Sequence, residues 1–129
     1  MADKTIIVDT SILIDFFRKS DKANSLLMSL VKQGYVFCIS VITEYEIYSG
    51  ATDVQKEYWQ DLLNKTEVLA FNRDAVKVAI EINNALKRKR KQIALADLFI
   101  AATAINYDLP FATLNKKHFD RIDTLKIID

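Results

Sequence analysis

The chain has 129 residues, a formal net charge of +1 and a hydrophobic fraction of 50%, which is typical of one globular domain spanning 1–129. Its 2 glycines, 1 cysteine and 1 histidine exclude glycine-rich phosphate loops, an internal disulfide and zinc sites made of histidine and cysteine clusters. No apolar run is long enough to span a bilayer, and Asp3 and Asp9 interrupt any N-terminal signal pattern. We therefore expect a cytoplasmic protein with no membrane partner.

Short apolar runs alternate along the chain with longer amphipathic ones. Thr5–Val8 is short, apolar and β-branched, so it predicts a buried strand. Gly34 is a plausible end for a helix that precedes the second strand. The remaining predicted elements are, in order, helices over 12–17 and 23–32, a strand over 35–39, helices over 41–49 and 54–64, a strand over 67–71, a long helix from residue 75 to a basic tail, a helix over 97–107, and strands over 110–113 and 125–128.

Buried strands that alternate with helices predict an α/β fold, with a parallel sheet covered on both faces. In open parallel sheets, ligands bind beyond the carboxyl ends of the strands. Asp9 directly follows the first predicted strand and Asn115 closely follows the fourth. Both residues are therefore placed where a binding site is expected.

Three acidic residues are candidates for such a site, and each also has a structural interpretation. Asp9 could cap the helix that follows it. Glu46, with Glu44 as a near competitor, could form a capping box with Thr43. Asp97 opens an otherwise apolar helix, where a charge is costly to bury unless it caps the helix, is paired or binds a metal.

Taken together, the three acids indicate a different role. If they meet at one edge of the sheet, their mutual repulsion calls for a counter-charge. A hard cation such as Mg²⁺ or Mn²⁺ prefers oxygen ligands and would supply that charge. Such an ion could activate water and stabilise charge on phosphorus, so the pattern predicts phosphodiester hydrolysis.

Four segments, in order along nearly the whole chain, carry a family resemblance. They are residues 8–15 (Val-Asp-Thr-Ser-Ile-Leu-Ile-Asp), residues 40–43 (Ser-Val-Ile-Thr) followed by Glu46 and Gly50, residues 97–104 (Asp-Leu-Phe-Ile-Ala-Ala-Thr-Ala) and residues 113–119 (Thr-Leu-Asn-Lys-Lys-His-Phe). The chain resembles PIN-domain nucleases, and within them the toxin half of bacterial VapBC-type toxin–antitoxin pairs. The family's glutamate precedes a glycine by four residues, which selects Glu46 over Glu44.

The resemblance implies a PIN-like three-layer α/β/α sandwich around a mainly parallel sheet of four to five strands. It also implies an Mg²⁺- or Mn²⁺-dependent endoribonuclease that inhibits translation, has a cognate antitoxin as partner and forms a homodimer. By matching position, Asp9, Glu46 and Asp97 would be the catalytic and metal-binding acids. Thr10 or Ser11 could place a hydroxyl near the metal or the phosphate.

The fourth segment departs from the family's common pattern. Many relatives have an acid where this chain has Asn115, or an aspartate where it has His118. Asn115 is retained as a catalytic candidate because its carbonyl can bind a metal or orient a water, but it adds no charge. We therefore expect one firmly held metal rather than two. The alternative function is a non-catalytic PIN-like domain that binds RNA or a partner.

Two surface features bear on the substrate. The five basic residues of 87–91 and a further lysine predict contacts with RNA phosphates, although a basic helix end also favours the helix dipole. The aromatic residues of 45–59 could stack on bases, line a groove for a partner helix or pack in the core. The predicted substrate-binding side chains are Lys87, Arg88, Lys89, Arg90, Lys91 and Lys116, together with Thr10 and Ser11.

Overall fold

A computed structural model describes residues 4–128, so residues 1–3 and 129 of the predicted domain 1–129 lie outside the described part. The strands are β1 (Thr5–Val8), β2 (Val36–Ser40), β3 (Glu67–Leu69) and β4 (Phe111–Ala112). They form one parallel sheet in the order β3-β2-β1-β4. The α-helices are α1 (Thr10–Arg18), α2 (Leu26–Lys32), α3 (Val41–Gly50), α4 (Asp53–Leu63), α5 (Arg73–Arg88), α6 (Leu95–Asn106) and α7 (Lys116–Phe119).

The strand β1 lies inside the sheet and divides the core into two layers. Ile7 packs in one layer with the apolar faces of α5 and α6. Ile6 and Val8 point to the other face and pack with residues of α1, α2, α3 and α4. Successive side chains of a strand point to opposite faces, and all three of these are fully buried. The predicted three-layer α/β/α sandwich is therefore confirmed.

Four strands are present among the described residues, and the outer elements differ from the prediction. β4 has two residues, so the segment predicted as a fifth strand over 125–128 has room for one parallel bridge, between Phe111 and Ile127. The helix predicted over 23–32 is divided, because Ser25 accepts a hydrogen bond from the N–H of Met28 and starts α2 there. Gly34 follows α2 with φ of +94°, as expected of a glycine at a helix end.

The short helix α7 was not predicted. It follows β4 after three residues and brings Phe119, which is fully buried, against Phe111 with ring centroids 4.8 Å apart. α7 therefore lies next to the carboxyl end of the sheet. None of the helices within residues 4–128 is long and apolar enough to cross a membrane.

Candidate active site at the carboxyl edge of the sheet

Asp9 is held at the end of β1 by hydrogen bonds from three directions. Its Oδ1 accepts from the Ser11 hydroxyl at 2.5 Å and from the N–H of Ile12 at 3.3 Å. Its Oδ2 accepts from the Thr113 hydroxyl at 2.5 Å. Asp9 is the N-cap of α1, so the capping interpretation is correct. Capping occupies one carboxylate oxygen, while the other points towards the segment after β4.

Burial distinguishes Asp9 from an ordinary helix cap. Its side chain is 3% exposed, and burial, aided by the charge of Asp97, raises the pKa of Asp9 above its usual value even though the hydrogen bonds from Ser11, Thr113 and Ile12 lower it. Surface caps do not carry such a penalty. The charge of Asp97 makes the smallest contribution to this shift in pKa, and the close approach of Asp9 and Asp97 stays a prediction.

Asp97 lies in the first turn of α6, which begins after Ala94 with no side-chain cap among the described residues. A negative charge is favourable there because it faces the positive end of the helix dipole. Its Oδ2 lies 3.0 Å from Nε2 of His118 on α7. Asp97 is therefore not an N-cap, and one of its carboxylate oxygens lies beside a ring nitrogen.

Glu46 is oriented by a hydroxyl of another helix. Its Oε1 accepts a hydrogen bond from Thr10 at 2.6 Å, and the Thr10 hydroxyl also lies 3.2 Å from that of Thr43. The predicted capping box between Thr43 and Glu46 is wrong, because α3 begins earlier, with Ser40 as the N-cap that accepts from Ile42. Glu46 therefore does not cap its own helix, and its carboxylate faces the start of α1.

The two hydroxyls proposed for substrate binding have defined partners. Ser11 donates to Asp9 and accepts the N–H of Leu114 at 3.1 Å. Thr10 donates to Glu46. Both hydroxyls therefore orient acids of the site in this structure, and contact between them and a phosphate stays a prediction.

Asn115 lies where two surface grooves adjoin. One groove runs beside the start of α1 and the other runs along α7; both include Leu114 and Asn115 in their walls. The first contains Arg18 and Lys19, and the second contains Lys116, Lys117 and His118. Within residues 4–128 the Asn115 side chain caps no helix. Asn115 is thus flanked by basic side chains on both sides, and its contact with the acids stays a prediction.

The basic run 87–91 lies at the end of α5 and in the turn before α6, and its side chains are exposed. Lys89 forms an ion pair with Asp123 at 3.0 Å, which removes part of its charge from any role in RNA binding. This turn leads into the first turn of α6, where Asp97 lies, but the run lines neither of the two grooves at Asn115. RNA contact by the run stays a prediction.

The aromatic residues of α3 and α4 divide between core and surface. Trp59 is buried and packs against Phe17 and Tyr58 with ring centroids 5.0 and 5.4 Å apart. Tyr45 is 71% exposed. The core interpretation is therefore correct for Trp59, while Tyr45 is accessible to a nucleic acid or a protein.

The oxygen atoms of Asp9, Glu46 and Asp97 are ligands of the kind that a hard divalent cation prefers, but the three side chains do not surround one position. Within residues 4–128, no three side chains of His, Cys, Asp or Glu are placed to hold one ion. Asp9 and Asp97 nevertheless offer oxygen ligands, and a bound cation would favour the ionised form of the buried Asp9 carboxylate. Glu46 could join them by exchanging its hydrogen bond from Thr10 for the ion or for an intervening water.

Sequence reasoning assigned no role to Thr113 or to the contact of His118 with Asp97. Thr113 directly follows β4, so its position next to the end of β1 could have been inferred from the pairing of the two strands. The approach of His118 to Asp97 depends on α7, which has no clear signal in the sequence. Both residues lie in the fourth segment quoted above.

Comparisons with known proteins agree with this geometry. The model of the PIN domain family matches residues 6–125. "Ribonuclease VapC1" of Methanocaldococcus jannaschii is 34% identical, covering 98% of this chain and 89% of the relative. "Ribonuclease VapC" of Rickettsia bellii is 36% identical, covering 95% and 94%. The structure of VapBC-1 from nontypeable Haemophilus influenzae has a TM-score of 0.81 and 26% identity, and the match covers 97% of each chain. The chain belongs to the PIN-domain family. Within that family, both of these sequence relatives are VapC ribonucleases.

Proposed function

We propose that this chain is a divalent-metal-dependent endoribonuclease and the toxin of a type II toxin–antitoxin pair. Asp9 and Asp97 hold the ion, Glu46 completes its acidic surroundings, and Asn115 contributes an amide carbonyl. The buried Asp9 carboxylate, held at the carboxyl edge of the sheet by Ser11 and Thr113, carries the proposal, because a buried charge is costly in the absence of a cation. The VapC ribonucleases among its relatives support the same reaction class.

Each site residue has a task in phosphodiester hydrolysis. A bound Mg²⁺ or Mn²⁺ supplies Lewis-acid chemistry, activating water and neutralising charge on phosphorus. Ser11 and Thr113 fix the Asp9 carboxylate, and Thr10 fixes that of Glu46. The basic side chains of the two grooves would bind the phosphates on either side of the scissile bond.

Cleavage of a labelled RNA with Mg²⁺ or Mn²⁺ tests the proposal. Chelation should abolish cleavage, and Asp9→Asn or Asp97→Asn should lower the rate by at least about 100-fold, as expected for removing a group that acts in the transition state. Asp61→Asn, at an exposed position of α4, is the matched control. Undiminished cleavage by both well-folded active-site variants would rule out the site. RNA binding without any metal binding or cleavage would favour the non-catalytic alternative.

The partners follow from the same assignment. The Haemophilus influenzae structure similar to this chain is of VapBC-1, which supports a cognate antitoxin that covers the site. We expect the chain to form a homodimer as well. Light scattering of the purified chain, alone and with the product of the adjacent reading frame, would establish both assemblies.

A further inference from the structure

The single histidine of this chain lies against a proposed metal ligand. Nε2 of His118 is 3.0 Å from Oδ2 of Asp97, and both side chains are about one-third exposed. The ring stands edge-on to Phe119, with centroids 5.6 Å apart, so packing on α7 fixes its direction. The chain thus presents a nitrogen donor beside the acids, where the acidic pattern alone would supply oxygen.

The two atoms lie within ion-pair distance, but their geometry is not that of a hydrogen bond. Nε2 is inaccessible to solvent and has no hydrogen-bond partner among residues 4–128. A buried ring nitrogen without a partner is costly, and such an atom in a native structure calls for an explanation, such as an ion. Nε2 and Oδ2 are close, but they are not aligned as the donor and acceptor of a hydrogen bond.

The distance fits two neighbouring ligands of one ion. An octahedral ion with bonds of about 2.1 Å places adjacent ligand atoms about 3.0 Å apart, since the edge is the bond length multiplied by the square root of two. The observed separation of 3.0 Å between Nε2 and Oδ2 has this value. Asp97 and His118 could therefore bind the same ion without moving apart.

We propose that His118 is a direct nitrogen ligand of the ion bound at Asp97, and that it makes this site select Mn²⁺ over Mg²⁺. The inference rests on the proposed function, because it takes the metal at Asp9 and Asp97 as given. Mg²⁺ prefers oxygen ligands, whereas affinity for nitrogen donors rises along the first-row transition metals. A site in which the His118 imidazole joins the Asp97 carboxylate therefore disfavours Mg²⁺.

Electron spin-echo spectroscopy of the Mn²⁺-loaded chain tests the ligand directly. Because the sequence contains 1 histidine, an imidazole coupling in the untagged chain can come from His118 alone. We expect a ¹⁴N coupling typical of bound imidazole, which changes to ¹⁵N when the chain is labelled with ¹⁵N-histidine. This comparison uses the wild-type sequence, so it needs no variant to fold.

Two variants then test selectivity. His118→Asp replaces the nitrogen by an oxygen donor, and His118→Phe removes the donor while keeping a ring to pack on Phe119. In competition titrations, the Mn²⁺ to Mg²⁺ affinity ratio should fall about 10-fold in His118→Asp, and the imidazole coupling should vanish in both variants. These changes are in binding, and no cleavage assay is needed to see them.

The outcomes separate this inference from the proposed function. Suppose that the wild-type chain binds Mn²⁺ without an imidazole coupling, and that Asp97→Asn abolishes this binding. That result would overturn the role of His118 and leave the metal-dependent nuclease intact. An unchanged affinity ratio in His118→Asp would overturn the selectivity. Failure of the wild-type chain to bind Mn²⁺ at all would overturn the proposed metal site together with this inference.

Discussion

The Thr113 hydroxyl donates to Oδ2 of Asp9 at 2.5 Å, although the two residues are 104 positions apart in the chain. They meet because β1 and β4 run parallel, pairing Val8 with Ala112, so that the residue after each strand lies at the same edge. The same threonine oxygen accepts the N–H of Asn115 at 2.9 Å. Thr113 therefore joins the first and fourth segments of the site.

Removing the Thr113 hydroxyl should weaken metal binding. Thr113→Val keeps the shape of the side chain but leaves Oδ2 of Asp9 without this donor, so the carboxylate loses one of the three hydrogen bonds that orient it. Loss of a group that orients a ligand typically costs 10–100-fold in metal affinity, and we expect about that decrease by calorimetry with Mn²⁺. Thr113→Ser, which retains the hydroxyl, is the control. Wild-type affinity in Thr113→Val would contradict the positioning role.

Asp9→Asn should stabilise the metal-free fold while abolishing cleavage. Burial and the charge of Asp97 raise the pKa of Asp9 in the folded state, so its ionised form is disfavoured by folding. We expect the free energy of unfolding to rise by about 1 kcal/mol and Tm by about 3–5 °C at neutral pH. Saturating Mn²⁺ should raise Tm of the wild type and leave that of Asp9→Asn nearly unchanged.

The pH dependence of this stabilisation has a defined sign. For a carboxyl group whose folded-state pKa is raised, the contribution to stability is present below the unfolded pKa, near 3.8, and is lost as pH rises through the folded pKa. The difference in stability between Asp9→Asn and the wild type should therefore grow from acidic to neutral pH. Denaturant titrations at several pH values, without metal, would measure it; a difference that shrinks with rising pH would contradict the assignment.

Cys38 should be inert in the folded protein. Burial in β2, with a smaller effect from the charge of Glu67, raises the pKa of its thiol to about 11, and its side chain is 1% exposed. The reactive thiolate is then scarce at pH 8. Mass spectrometry should detect alkylation by iodoacetamide after unfolding and none in the native state over the same interval. Rapid native labelling would show that β2 opens.

The lysines of the α7 groove should bind RNA more strongly than the end of α5. Neutralising Lys116 and Lys117 to glutamine should raise KM with little change in kcat, and should reduce the slope of log affinity against log salt by about 0.7 per lost phosphate contact. The matched double variant removes the charges of Lys87 and Arg88 at the end of α5. An equal or larger change in KM and salt dependence in that variant would show that the 87–91 run is the main RNA-binding surface.

Local sequence patterns predicted the elements whose burial is regular. β1 is apolar and buried from Ile6 to Val8, and the spacing of Ala75, Ala79, Ile82 and Leu86 marks the buried face of α5. The position of Asp9 followed from the rule that parallel sheets bind ligands at their carboxyl edge. These features depend on hydrophobic periodicity and strand polarity, which a single sequence displays.

The features that were missed depend on tertiary contacts. The capping box of Thr43 with Glu46 was wrong although the helix was predicted over 41–49, because Ser40 caps α3 and Glu46 instead accepts a hydrogen bond from Thr10 of α1. β4 is two residues long, and the segment beyond it forms a single bridge, so the strands predicted over 110–113 and 125–128 were too long. The contact of His118 with Asp97 joins residues 21 positions apart through α7, and no local pattern predicts it.

The position of β4 in both the sheet and the chain has a consequence for synthesis. A nascent chain carries Asp9 almost from the start, but it acquires Thr113 and His118 only after more than a hundred further codons have been read. Until then β1 has one strand neighbour, and the carboxylate of Asp9 has no donor from the segment after β4. Incomplete products of the ribosome therefore lack this part of the proposed site, and we expect the fragments made from an interrupted messenger not to cut RNA.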